Sequence, residues 1–308
     1  MTGTGLEPDP PEFDYAGPLV PTGNLRRRLI VNRLATSGST AAALLAVGVL
    51  GIVIYSVAHK GASQLSFGFL TKDPPRFPGP GGGIAPAIVG SAIIVALAAA
   101  MAAPIGILIA LYMTEFAPRS RSARFMRLVL DLLNGVPAIV VGVFVFGLMV
   151  VGHGQSGLAG SIALAIIMLP LISRTSQEVL LLVPGTMREA AEALGVSRWR
   201  TVLGVILPSA LGGILTGTLL AVARAAGESA PLILLSSQLG QGVQLNPFPG
   251  HGLGLDSIPL SIFTASEQAD PASFARAWGA AFVLLMFILV TSLSARALLN
   301  RNRRKLIG

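Results

Sequence analysis

The chain contains no cysteine, only three lysines and only three histidines in 308 residues, and each shortage removes a class of function. Without cysteine there is no disulfide framework, no thiolate metal site and no thiol nucleophile. His59, His153 and His251 are scattered and show no ligand spacing. None of Lys60, Lys72 and Lys305 follows a glycine. The chain therefore has no phosphate-binding loop of the Walker type, in which Gly-Lys is obligatory, and cannot hold ATP in one. No nucleophile elbow is present either, so no catalytic site, metal or cofactor is expected in this chain. Charge is scarce as well: 12% of residues are charged against about 25% in an ordinary globular protein. In its place stands 53% hydrophobic content and a mean hydropathy of +0.74, the composition of an all-α membrane protein. The formal charge of +8 would point to nucleic acid only if it lay on one soluble face, and it does not.

Six apolar runs are long enough to cross a bilayer, whose ~30 Å hydrocarbon core needs about 20 helical residues. They fall at about 37–58, 84–112, 128–151, 158–182, 209–235 and 277–299. Residues 1–24 are crowded with Pro and Gly around Glu7, Asp9, Glu12 and Asp14, too polar to build a core, and read as a disordered tail without the basic start and apolar stretch of a signal peptide. Arg26, Arg27, Arg28 and Arg33 follow. The run Pro78-Gly79-Pro80-Gly81-Gly82-Gly83 precedes a span rather than opening a helix after a strand, so it reads as a flexible linker and not as a phosphate cradle. Pro104 and Gly106 inside the second run predict a kink or tilt that absorbs its excess length. The third run is interrupted by Asn134-Gly135-Val136-Pro137, and Asp131, four residues after Arg127, predicts an ion pair along one helix face.

With both termini placed inside, seventeen Lys and Arg lie in or beside the inside segments. Four, Lys60, Lys72, Arg76 and Arg276, lie outside, and Arg224 is left over. By the positive-inside rule that asymmetry predicts cytoplasmic termini.

Between the fourth and fifth runs, from Pro184 to Pro208, the chain reads PGTMREAAEALGVSRWRTVLGVILP. Ala, Glu and Leu make Met187 to Leu194 helix-prone, and Gly195 stands where a helix would end in a left-handed cap. A break and a second short helix should follow. Ala190, Ala191 and Ala193 give a thin surface that fits a groove, with Arg188, Glu189, Arg198 and Arg200 as its charged rim. The spacing Glu189-Ala190-Ala191, three residues, Gly195, nine residues, Val205-Ile206-Leu207-Pro208 resembles the EAA loop of the permease subunits of type I ABC importers, with Val205 where that family more often has Ile. The resemblance implies a six-helix permease fold and a coupling helix, carried by Glu189, Ala190, Ala191, Gly195, Leu207 and Pro208, that docks on a separate ATPase.

Polar residues inside apolar runs are the remaining candidates. Arg224 and Glu228 lie in the fifth run. A cation at the centre of a span costs about 2.5–3.5 kcal/mol on insertion scales and normally faces a bundle interior or an aqueous path. Glu228, one turn on, is placed to hold the guanidinium or to alternate with a substrate for it. A guanidinium also matches a phosphate-like oxyanion through bidentate hydrogen bonds. On the residues alone, substrate contact and a structural Arg–Glu pair both stand. The strings PIGILIALYMTEF at 104–116, NGVPAIVVG at 134–142, LPLISRTSQEVLLLVPGTMREAAEALG and ARAAGESAPL look like those of the permease subunits of phosphate ABC importers. They cover spans two to five and leave out the N-terminal tail and the Gly-Pro loop.

That likeness implies that Arg224 and Arg174 stand at arginine positions associated with the anion path, with Glu228 beside the first. It implies as partners a PstC-like second permease, a PstB-like ATPase dimer holding ATP and Mg, and a PstS-like extracytoplasmic phosphate-binding protein. The chain then divides into a tail with a basic cluster (1–36), the first span and outer loop (37–83), the permease domain (84–300) and a basic tail (301–308). The competing readings are a permease for sulfate or molybdate, and a proton-coupled secondary transporter, whose usual internal repeats are not seen. A polyamine path would call for acids where Arg224 stands.

The orientation is directly testable, because no native cysteine interferes. Cysteine at Ser156 or Ser266 should react with an impermeant thiol reagent in intact cells and cysteine at Ser197 should not; the opposite pattern would overturn the predicted topology.

Overall fold

A computed structural model describes residues 25–77, 79–237, 242–248 and 254–307. The tail expected at 1–24 lies outside the described residues. The chain divides into two compact units, residues 1–55 and 56–308. In the first, the described residues all belong to one helix, α1 (Leu25–Ala62), which starts well before the span expected at 37. From Arg27 to Tyr55 every side chain is exposed, Leu44, Leu45 and Ile52 included, on all faces of the helix. That is the condition of a helix whose solvent is hydrocarbon.

All regular elements among the described residues of the second unit are helices. A one-turn α2 (Phe67–Thr71) leads to α3 (Ala85–Leu111), which ends in a π-helical turn, Tyr112–Phe116. Next come α4 (Arg121–Gly135), α5 (Ala138–Val145) with a π turn at Phe146–Val150, and α6 (Gly157–Leu181). The loop helices are α7 (Gly185–Ala193) and α8 (Arg198–Thr201), the second running through a π turn at Val202–Ile206 into α9 (Leu207–Ala225). Finally α10 (Ala230–Leu235), α11 (Ile258–Glu267) and α12 (Pro271–Ile307) complete the chain, α12 running on through the residues assigned to a basic tail.

Two expected spans are not single helices. The third is a pair, Arg121–Gly135 and Ala138–Val150, meeting at 101°. Pro137 is the reason: its ring excludes helical backbone at the preceding residue, and Val136 sits extended at φ −73°, ψ 128°. Only if that pair is counted as one span do the described residues hold six. The fifth run stops at Ala225, and residues 226–229 turn before the separate α10. The helices that follow the two interruptions are packed together: a Cβ on Gly142 of α5 would lie 2.9 Å from the Cα of Pro231 in α10. Val141, Val145, Val150, Ala159, Ala163 and Leu235 form the buried cluster around that joint.

The main core lies between α3, α6 and α9, with Ile94, Ala98, Ala102, Leu164, Met168, Ile172, Ala221 and Ala225 buried together with Leu232 and Leu255. Lipid tails are as apolar as leucine, so helices in a bilayer gain little by hiding apolar surface from it, and close backbone approach supplies the attraction instead. The α6–α9 contact is built that way. A Cβ on Gly217 would fall 2.4 Å from the Thr175 hydroxyl, and one on Gly213 2.5 Å from a Val179 methyl.

The Gly-Pro stretch expected to be a flexible linker is held at several points. Arg276 Nη1 donates to the carbonyls of Gly79 (2.6 Å) and Gly81 (3.2 Å), and the Gly83 amide donates to the Asp73 carbonyl (3.0 Å). Ser156 caps α6, its hydroxyl accepting from the Ala159 amide, and is 1% exposed. Ser266 and Ser197 are exposed, so they are the informative pair for labelling.

Candidate functional site

The loop between α6 and α9 takes the form its sequence predicts. Helix α7 ends in a paired hydrogen-bond cap: the Val196 amide donates to the Ala191 carbonyl (3.0 Å) and the Gly195 amide to the Glu192 carbonyl (2.9 Å), with Gly195 at φ +69°. That geometry satisfies two carbonyls a helix end otherwise leaves bare and needs a residue tolerant of positive φ. Glu189, Ala190 and Glu192 are exposed, Ala191 is buried, and the second short helix follows at α8. Leu207 and Pro208 open α9 directly after the π turn at Val202–Ile206. The Leu207 amide closes that turn on the Val202 carbonyl, and Pro208, which has no amide hydrogen to donate, follows it. The loop sits on a second buried cluster, Ala110, Leu111, Leu180, Val183, Val202, Ile206, Ala210 and Ile214.

Arg188 does not join the charged rim. Its guanidinium turns inward, Nε to Glu115 Oε2 at 3.0 Å and Nη2 to Glu115 Oε1 at 2.7 Å, a bidentate pair. The same side chain donates to the carbonyls of Val183 (2.8 Å) and Leu180 (3.0 Å) at the end of α6. Glu115 is 4% exposed. The hydrogen bond to its carboxylate, opposed by burial and reinforced by its charge, holds the Arg188 pKa above the ordinary arginine value. Removing one member of a fully buried pair costs about 3–5 kcal/mol, and less here because the Arg188 side chain keeps 28% exposure. One residue further on, Phe116 packs on Trp199 of α8, ring centroids 5.6 Å apart. Sequence reasoning passed over Glu115. Its only signal was an acid closing an apolar run just before a basic segment.

The cationic candidates are placed differently from expectation. Arg224 lies in the last turn of α9, not at mid-span, with an exposed side chain. Among the described residues it makes no ion pair with Glu228, so the predicted pair is not formed. Glu228 is half-buried in the turn after α9, its amide donating to the Ala225 carbonyl (3.1 Å). Arg174 of α6 pairs with Asp131 of α4. That displaces the predicted Arg127–Asp131 pair, and Arg127 donates instead to the carbonyls of Pro118 (3.0 Å) and Met113 (3.3 Å). The structure therefore separates the substrate-path candidates: Arg224 and Glu228 sit at the break after α9, and Arg174 is tied to α4.

At the Ala85 end of α3, away from the loop, a cavity of about 970 Å³ is lined by Asp73, Arg76, Gln244, Asp256, Gln268 and Arg276 among others. Burial pushes the Asp256 carboxyl up to about 6, against the hydrogen bonds from the Ser257 amide and the Ser261 hydroxyl. No sequence-predicted site residue lines this cavity. Among the described residues no cluster of three or more metal-ligating side chains occurs.

Residues 102–304 match the family described as the inner membrane component of binding-protein-dependent transport systems. A chain of the inward-facing MetNI methionine ABC transporter shares the fold at a TM-score of 0.55, with 16% identity over 71% of this chain and 94% of that one. Among curated relatives, the phosphate transport system permease protein PstA of Xylella fastidiosa Temecula1 is 38% identical over 280 residues, 90% of this chain and 96% of its own. PstA 1 of Mycobacterium tuberculosis H37Rv is 37% identical over 72% of each chain, and PstA of Yersinia pestis 34% over 88% of this chain and 91% of its own. A bundle with five or six spans and an EAA-type loop defines a permease component of an ABC transporter. The chain belongs to the inner membrane components of binding-protein-dependent transport systems and, within them, to the PstA permeases.

The cap at Gly195 gives a local prediction. No atom lies within 4 Å of a Cβ placed there, so substitution acts through the backbone alone. A non-glycine residue in the left-handed region costs about 1–2 kcal/mol, so Gly195→Val should raise amide exchange at residues 191–196 about tenfold, while Gly195→Asn stays closer to the parent. Unchanged protection in the valine variant would contradict the cap.

Proposed function

We propose that this chain is the transmembrane permease subunit of an ATP-driven importer of inorganic phosphate. It would lie in the cytoplasmic membrane and form the translocation path with a PstC-like second permease. A PstB-like ATPase dimer carries ATP and Mg beneath the loop at 184–208, and a PstS-like binding protein delivers phosphate from the other side. The observation that carries this reading is the identity of 34–38% to phosphate transport permeases over most of the chain. Guanidinium chemistry alone suits sulfate as well as phosphate, so the relatives and not Arg224 favour the solute. The orientation rests on the seventeen-to-four distribution of Lys and Arg, which sets the loop on the cytoplasmic side, where an ATPase is. The absence of a Walker lysine supports placing hydrolysis in a partner.

Within this reading exposed Glu189, Ala190 and Gly195 present the docking surface, buried Ala191 seats the helix from behind, and Leu207 and Pro208 open the helix that follows. Exposed Glu189 and Ala190 stand on a short helix fixed at its far end by the cap. Arg224 is the anion-path residue, with Glu228 beside it. Support comes from its exposed side chain and from the break that follows it, where non-helical backbone in a membrane protein is tolerated only inside protein or beside water. Arg174 is proposed as a second such residue, one whose charge Asp131 offsets in this structure.

Phosphate carries one to two charges at neutral pH and needs fixed positive partners to replace its hydration. Arg224→Ala should abolish phosphate uptake, and Arg224→Lys, which keeps the charge but loses the fork, should retain a minor fraction. Both should assemble with the ATPase at parental levels. Normal uptake in the alanine variant, or a loss of assembly that Glu228→Ala restores, would reduce Arg224 to a packing residue.

A further inference from the structure

The coupling loop touches the bundle in two ways that differ in kind. Its apolar side chains Val202 and Ile206 rest on Ala110, Leu111, Leu180 and Val183. Such contact is non-directional and can slide. The Arg188 fork on Glu115 is directional, because two parallel hydrogen bonds fix distance and angle together. Arg188 is also held from the α6 side by the Leu180 and Val183 carbonyls, so the pair joins α7, the end of α6 and the end of α3 at one guanidinium.

The receiving element is unusual in its own right. Glu115 and Phe116 lie in the π turn Tyr112–Phe116, closed by the Ala117 amide on the Tyr112 carbonyl at 2.9 Å. A π turn carries one more residue than an α turn and is frequently found where a helix does work. Here consecutive residues of the turn are taken by consecutive helices of the loop, Glu115 by α7 and Phe116 by α8. The turn is tied onward to α4: Arg127 donates to the Met113 carbonyl, and the Tyr112 and Ser122 hydroxyls are 2.7 Å apart. Helix α4 in turn holds Arg174 through Asp131.

We propose that the π-helical end of the second span is the receiver through which the coupling loop drives the bundle. The Glu115–Arg188 pair is its positioning contact, and Phe116 on Trp199 is a second hold. The proposal rests on the permease reading. A displacement of α7 by the ATPase passes through the guanidinium into α3 and α6 together, and from α3 through α4 to Arg174. With the carboxylate neutralised, the loop still docks on its apolar bed but slides on it, and ATP is spent without moving solute.

The test uses the complete complex in proteoliposomes with its binding protein, after removal of any cysteines from the partner subunits. Spin labels go at Thr186→Cys and Arg119→Cys, and the distance distribution is measured with and without nucleotide, beside phosphate taken up per ATP hydrolysed. Glu115→Gln should leave complex abundance unchanged, broaden the 119–186 distribution at least twofold and lower phosphate moved per ATP about tenfold. Arg188→Lys, which keeps the charge, should fall between Glu115→Gln and the parent in both readouts. An unchanged distribution in Glu115→Gln overturns the proposal, as does a broadened one at an unchanged ratio. If Glu115→Gln lowers complex abundance, Arg188→Lys decides: a parental ratio in its assembled complex makes the pair structural only. A parent complex that moves no phosphate with ATP would defeat the permease reading, whereas the label distances report on the tie whatever the solute.

Discussion

No water is available inside a bilayer to satisfy bare amides and carbonyls, and most of this architecture follows from that constraint. It makes helices the regular elements of the second unit among its described residues. It also decides where the backbone is free to break. The bend at Val136–Pro137 and the turn at 226–229 both leave peptide groups outside helical ladders, and the helices that follow them, α5 and α10, pack face to face at Gly142 and Pro231. At the breaks themselves Ala226 is buried, while Gly135, Val136, Pro137 and Gly227 are exposed on this chain. Because lipid supplies no hydrophobic drive between helices, the bundle relies on small residues at α6–α9, where glycines bring Thr175 and Val179 against the neighbouring backbone.

Against that backdrop Arg188 and Glu115 stand out as a charged contact placed where motion has to enter. Arg188 satisfies carbonyls that the end of α6 leaves open and so has a structural reason to be there. The second hydrogen-bonding edge, spent on Glu115, has no such local need. An acid that is 4% exposed at the end of a span would be costly without a partner, and the π turn places it within reach of one. The Phe116–Trp199 contact beside it makes the junction between loop and span two residues wide.

Much of this was legible in the sequence, and the failures have definite causes. Composition fixed the membrane class, and the EAA spacing with Gly195 gave both the loop helix and its left-handed cap, because those depend on local propensity and backbone sterics. Pro137 marked an interruption, but the 101° angle depends on what packs against α5. The fifth run hid the break at 226–229 because Ala, Gly and Ser barely lower hydropathy and the single acid Glu228 was read as a charge inside a span, and so Arg224 was read at mid-span when it closes a helix. The Arg127–Asp131 and Arg224–Glu228 pairs were argued from i,i+4 spacing, worth only a few tenths of a kcal/mol, and tertiary partners or turns won in both places. Arg188 was assigned to the rim for the same reason: nothing local to it announces a partner 73 residues away.

The central claim is that solute moves through this chain only when a separate ATPase turns over. The most direct measurement is phosphate uptake into proteoliposomes holding the purified complex, comparing the parent ATPase with one whose nucleotide site is disabled. Uptake should require ATP, stop with the disabled ATPase and ignore an imposed proton gradient. Uptake that persists with the disabled ATPase and follows the proton gradient would contradict the account and make this chain a secondary transporter.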